Sequence, residues 1–228
     1  YFDCLLVGLT ATPKDEVDAN TYHLFNCENG EPNFSYSLEE GVKEHYLVPY
    51  KVKSKTTKLL SHGIKYSDLS ATDRQKVEVL LEDVPTDYVI PKETLFKIFY
   101  NEDTCRRVLD EVMTNGLKVD YGQKIGKTII FAHNHKHAQL IVDVFKKTYP
   151  KYGEDYCQLI DNQVKGANEL ITKFETDDNF RIAVSVDMLD TGVDVPSVLN
   201  LVFFKPVKSK IKFVQMIGRG TRLCEGLI

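Results

Sequence analysis

From residue 128 onward, short apolar runs alternate with stretches of helical spacing, and few folds tolerate that alternation. The runs TIIFA (128–132), DYCQLI (155–160), RIAVSVD (181–187) and VLNLVFF (198–204) have the length and continuous apolar character of strands buried on both faces. Between them, residues 135–149 place Ala138, Ile141, Val142 and Phe145 on one helical face before Pro150 stops the helix. Residues 166–174 predict a short helix, and residues 208–217 a last one with Ile211, Val214 and Ile217 inward. Strands that alternate with helices are joined by crossovers, so they lie parallel. The expected fold is α/β, a parallel sheet with helices on both faces.

Such sheets bind ligands at the carboxyl ends of their strands. That rule selects four loops, after residues 9, 132, 187 and 204. They hold Thr10 and Thr12, His133 and Asn134, residues 187–194, and a basic strip leading into the last helix.

Upstream the pattern is less regular. Residues 3–9 (DCLLVGL) predict a buried strand ending in the small-residue turn 10–13. Residues 14–44 are polar and predict a linker, with a short helix over 38–43. Residues 45–58 alternate and carry β-formers, which predicts a strand. A polar helix is expected over 71–81 and another over 102–115, where Val108, Leu109, Val112 and Met113 recur at helical spacing. The 228 residues are 43% apolar and 27% charged, an ordinary globular composition, with no apolar run near the ~20 residues of a membrane helix. The chain opens on Tyr1 inside an apolar run, without a signal-peptide pattern, and is expected to be a piece of a longer protein. Five cysteines, widely spaced and without CxxC, fit a reducing compartment.

Net charge is −4, against the basic balance usual for a dedicated nucleic-acid binder. Residues 63–120 hold 12 acidic and 8 basic groups and account for it, whereas residues 181–228 hold 7 basic and 4 acidic. Basic clusters at 51–55 and 205–212 are able to meet phosphate. Taken alone, they read as solvated lysine faces.

Two constellations carry chemistry. The segment IKFVQMIGRGTRL holds Gln215, Gly218, Arg219 and Arg222, two of the chain's six arginines. Read as the C-terminal helix, this segment puts Arg219 and Arg222 three residues apart on one face, pointing the same way. Paired guanidinium forks suit phosphate oxygens and the charge of phosphoryl transfer. Glycines at 218 and 220 cost a helix roughly 1 kcal/mol each, which makes sense where another group comes close. A frayed helix end with surface arginines is the plain alternative. In VDMLDTGVDVPSV, residues 186–198, Thr191, Gly192 and Asp194 follow a buried strand, a set able to contact phosphate or a sugar hydroxyl. A simple polar turn explains them as well.

Three patterns mislead. Gly122–Thr128 imitates a phosphate-binding P-loop, but it is one residue short of GxxxxGK[ST] and precedes a strand instead of following one. Asp110 and Glu111 imitate a Walker-B pair within a helical pattern. His133, His135 and His137 invite a metal, yet they span a strand-to-helix junction with no partnered cysteine or carboxylate expected nearby, so they read as loop and helix-start residues and no metal is expected.

In order, GLTATP (8–13), TIIFAHNHKHA (128–138), DTGVDVP (190–196) and QMIGRGTR (215–222) resemble motifs III, IV, V and VI of superfamily 2 helicases. The wording of residues 20–52, 62–70 and 186–198 resembles the restriction (R) subunit of type I restriction–modification enzymes. The resemblance implies an ATP-dependent double-stranded DNA translocase built from two RecA-like lobes. In that scheme residues 1–13 end the first lobe, 14–44 link, and 45–228 form the second, with an acidic excursion at about 60–120. Arg219 and Arg222 are implied as arginine fingers, Gln215 as their support, and Gly192 and Asp194 as nucleotide contacts. His133, Asn134 and Thr191 are implied to touch DNA, and Thr10 and Thr12 to couple hydrolysis to movement. ATP with Mg²⁺ is the implied cofactor, and DNA with methylation and specificity subunits the implied partners, in a prokaryotic cytoplasm. These 228 residues contain no P-loop, no DEAD/DEAH box and no nuclease carboxylate cluster. The isolated chain is therefore expected to hydrolyse no ATP. Another superfamily 2 repair helicase, or a non-catalytic module binding nucleic acid or protein, remains as an alternative.

Overall fold

A computed structural model of the chain describes residues 7–8, 22, 25, 27, 32–54, 64–69, 71–78, 84–91, 101–189, 194–207 and 209–226. In chain order these carry α1 (Leu38–Lys43), β1 (Ile64–Lys65), α2 (Ala71–Glu78), β2 (Val89–Ile90), α3 (Glu102–Asn115), β3 (Lys118–Val119), β4 (Lys124–Ile125), β5 (Lys127–Ala132), α4 (His135–Thr148), β6 (Cys157–Leu159), α5 (Ala167–Thr176), β7 (Ile182–Ser185), β8 (Val198–Phe204) and α6 (Lys210–Ile217). The expected strand over 3–9 and turn over 10–13 fall largely outside the described residues.

The strands read from the apolar runs form one parallel sheet in the order β6-β7-β5-β8. Central β5 is buried along its whole length, which is why its sequence is apolar on both faces. Alternate residues point to opposite layers. Ile130, Ala132, Ile182 and Val184 pack under α4 (Ala138, Ile141, Val142, Phe145) and α3 (Cys105, Leu109, Val112). Ile129, Phe131 and Ala183 face the other way, against Phe174 of α5 and Met216 of α6. Each large apolar side chain so buried contributes roughly 1.5–3 kcal/mol. The expected α/β architecture, with helices on both faces, is the observed one.

Local chemistry sets the ends of the helices. Asn101 caps α3 by accepting from Thr104 N–H at 2.9 Å, and Asn134 caps α4 from His137 N–H at 2.9 Å. Gly166 precedes α5 at φ 73°, a left-handed conformation that favours glycine. The end of α5 is closed by a buried lysine from another element. Lys127 Nζ donates to the carbonyls of Phe174, Glu175 and Asp177, the latter two at 3.1 Å. An ammonium there meets both the orphan carbonyls and the negative helix pole. At the same edge, Asn200 ties β8 to the β3–β4 hairpin by accepting from Leu117 N–H at 2.7 Å and donating to Leu117 O at 3.1 Å.

Residues 64–91 hold a small core of their own, in which Tyr66, Leu69, Val77 and Ile90 gather around the β1–β2 pair. The strand expected over 45–58 is absent from its described part, 45–54. Among the described residues of this segment, only Leu47 makes a bridge, antiparallel to Arg222. Residues 55–58 lie outside the described residues. The P-loop imitation spans the hairpin and the start of β5, and the Walker-B imitation lies within α3, so neither has the strand-then-loop setting such motifs require.

Candidate functional site

The carboxyl edge of the sheet gathers polar residues from four strand ends. After β5 come His133 and Asn134, both exposed, at the start of α4. Asn134 gives its oxygen to the α4 cap, so its position is fixed by the helix. His137, one turn in, is 3% exposed and packs edge-on against Phe204 with ring centroids 4.5 Å apart. Its Nδ1 accepts the His133 N–H at 3.2 Å, which leaves the ring proton on Nε2. Burial, followed by the charge of His133, lowers the His137 pKa to about 4, so the ring is neutral near pH 7.

His135 departs from the sequence reading. Its Nδ1 lies 2.6 Å from Oδ2 of Asp161, a carboxylate only 2% exposed just beyond β6. The other carboxylate oxygen accepts Gln163 N–H at 2.9 Å. His135 therefore does have a carboxylate partner, 26 residues away in sequence and two strands across the sheet, where β7 separates β5 from β6. Asp161 was missed, although its place at a strand's carboxyl end is the signal that would have found it. Among the described residues, no group of three His, Cys, Asp or Glu side chains is arranged to hold a metal.

Beyond β8, Lys205 donates to Val186 O and, at 3.2 Å, to Asp187 Oδ1, with Lys212 Nζ at 3.5 Å from the same carboxylate oxygen. Asp187 thus gathers part of the basic strip at this edge.

The second constellation lies where α6 ends. Arg219 and Arg222 do not share a helix face, because α6 stops at Ile217 and the chain folds into tight turns. Gly218 N–H reaches Val214 O at 3.0 Å, Arg219 N–H reaches Met216 O at 3.2 Å, and Gly220 N–H reaches Ile217 O at 2.9 Å. Gly220 packs closely on β8, where a Cβ would stand 3.1 Å from Leu201 Cδ1. Thr221 is 1% exposed, and Arg222 ion-pairs with Asp194. The fold thus joins two residues, Asp194 and Arg222, selected from separate motifs 28 positions apart. Gln215 and Arg219 are half-buried beside them in sequence. Thr10, Thr12, Thr191 and Gly192 lie outside the described residues.

A parallel sheet with helices on both faces, polar residues at its carboxyl edge and an arginine loop after its last helix define the second lobe of a RecA-like motor. Residues 106–224, just over half of the chain, match the helicase conserved C-terminal domain, and the chain belongs to that family. It is a superfamily 2 helicase chain related to type I restriction subunits. It is 30% identical to the type I restriction enzyme EcoKI endonuclease subunit of Escherichia coli K12, over 98% of this chain and 19% of that protein. It is 27% identical to the EcoAI endonuclease subunit of Escherichia coli, over 96% of this chain and 26% of that protein. The chain thus spans about a fifth to a quarter of the length of these curated relatives. The same fold occurs in a solved fragment described as an HsdR subunit of a type I restriction enzyme from Vibrio vulnificus YJ016, at TM-score 0.63 and 23% identity, covering 96% of this chain and 36% of that one. Among the described residues, no helix is long and apolar enough to cross a membrane.

Proposed function

We propose that this chain is the second RecA-like lobe of an ATP-dependent translocase that moves double-stranded DNA within a type I restriction enzyme. Residues 45–228 form that lobe, 14–44 the linker, and 1–13 the end of the first lobe. The observation that carries the reading is the Arg222–Asp194 pair after α6, in a chain of the helicase C-terminal family. A guanidinium has five donors, and one carboxylate leaves several for phosphate oxygens. Arg219 and Arg222 act on the γ-phosphate, Gln215 supports them, and Asp194 with Gly192 serves the ribose. ATP supplies the driving free energy, with its Mg²⁺ held by carboxylates of the first lobe.

His133, Asn134 and Thr191 contact the DNA backbone without reading sequence, since a translocase must accept every sequence. Thr10 and Thr12 couple hydrolysis to lobe movement. Methylation and specificity subunits are the partners of the whole enzyme.

The test is DNA-stimulated ATPase of the full-length protein beside its Arg219→Ala and Arg222→Ala variants. Loss of about 10³–10⁵ in kcat with DNA binding retained is the expected result, the magnitude of removing an arginine finger. Full activity in both variants would show that the arginine loop does not act on the nucleotide, and a wild-type protein without ATPase would favour a module that binds nucleic acid or protein.

A further inference from the structure

Arg222 is held from two sides. Its side chain meets Asp194, whereas its backbone meets a segment about 175 positions away (222 − 47) and outside the family-matched span of 106–224. Leu47 pairs antiparallel with Arg222, and Val48 N–H donates to Thr221 O at 2.8 Å.

The segment that makes these contacts is stiff by construction. Ser37 caps α1 in a complete capping box, accepting from Glu40 N–H at 3.1 Å while Glu40 Oε2 accepts Ser37 N–H at 2.7 Å. Tyr36 Oη donates to Glu44 Oε2 at 2.7 Å, tying the approach to the helix end. His45 then takes φ 62° and turns the chain back. That turn lets Gly41 O accept from both Tyr46 N–H, at 2.9 Å, and Leu47 N–H, at 3.0 Å. Leu47 lies so close over Gly41 that a Cβ at position 41 would stand 2.8 Å from Leu47 Cδ1. Six residues of helix, one left-handed residue and one bifurcated carbonyl thus aim the amide of Val48 at the arginine loop.

We propose that residues 37–48 are a positioning element for Arg222, an anchor through which the chain leading into the lobe sets where the arginine loop stands. This rests on the arginine role proposed above. The glycines at 218 and 220 leave the loop little side-chain bulk of its own, so an outside strut is a direct way to fix it. A displacement of residues 37–48 reaches Arg222 through the single backbone bridge at Leu47, whose hydrogen bond runs from Val48 N–H to Thr221 O, with no intervening side chain.

The test compares kcat and KM for ATP in the full-length protein, with DNA, for Val48→Pro, Val48→Ala, Gly41→Ala and Arg222→Ala. Val48→Pro deletes the N–H that bonds Thr221. Expected is a fall in kcat of about 100-fold, the scale of an ångström-sized misplacement, with KM and DNA affinity within about threefold. Val48→Ala, which restores the amide, recovers the rate. Gly41→Ala pushes Leu47 without touching the amide, and it carries the test by itself if Val48→Pro fails to fold. Turnover within twofold of wild type for Val48→Pro and Gly41→Ala, while Arg222→Ala collapses, overturns the inference and leaves the arginine role standing. Full turnover in Arg222→Ala removes both.

Discussion

Acid is expected to weaken this fold through the buried ring of His137. His137 is packed between α4 and the end of β8 and is neutral when folded, with its pKa lowered to about 4 from 6.5. Between those two values the unfolded chain binds a proton that the folded chain refuses. Stability attributable to this group is therefore complete above pH 6.5 and is lost as pH falls toward 4. At 1.36 kcal/mol per pH unit, the full gap from 6.5 to about 4 amounts to about 3 kcal/mol, most of it already lost at pH 4.5. With a urea m-value of about 2–3 kcal/mol/M, that loss moves the midpoint by about 1 M. The assay is urea unfolding of wild type and His137→Gln from pH 7.5 to 4.5. Glutamine keeps an acceptor for the His133 N–H and cannot titrate. Its lost ring contact with Phe204 is a constant offset, so only the difference in slope counts. Wild type is expected to fall more steeply by about 2–3 kcal/mol over that range. Parallel curves would show that the ring charges without penalty, and the burial argument would fail.

Lys127→Met keeps the stem and removes the ammonium that three carbonyls share at the end of α5. The expected loss in chemical denaturation is about 2–4 kcal/mol, since buried acceptors are left without their donor. A loss below about 0.5 kcal/mol would mean that water replaces the ammonium. Purified alone, the chain should hydrolyse no ATP with or without DNA, because the proposed site needs a P-loop from the other lobe. DNA-dependent turnover by the pure chain would refute the division of labour.

Several elements could be read directly from the residues. The helices over 38–43 and 102–115 and the strand over 198–204 lie where periodicity placed them, because the signals are local: apolar spacing, a capping side chain and a nearby glycine or proline. The parallel sheet followed from the alternation itself. Asp194 and Arg222 were legible as chemistry, since a carboxylate at a strand end and an arginine after a helix are distinctive residue types in distinctive places. The strand expected at 45–58 shows the boundary of that method. Alternation permits a strand, but a strand also needs a neighbour, and among the described residues of this segment only Leu47 finds one. The shared helix face expected of Arg219 and Arg222 is not observed, because α6 ends at Ile217 and tight turns through Gly218, Arg219 and Gly220 follow.

The sequence by itself therefore determined most of the helices and strands from residue 101 onward, that the sheet's strands run parallel, and that the loops after 132, 187 and 204 lie at its carboxyl edge. Those outcomes depend on interactions within a few residues and on the connection rule for parallel strands. Tertiary structure alone decided that Asp161 meets His135, that Asp194 meets Arg222, and that Leu47 and Val48, beyond α1, pair with the backbone of the arginine loop. Those contacts join residues 26, 28 and about 175 positions apart. Local pattern carries no trace of them, because they come into being only when the sheet sets its strand order and the layers close.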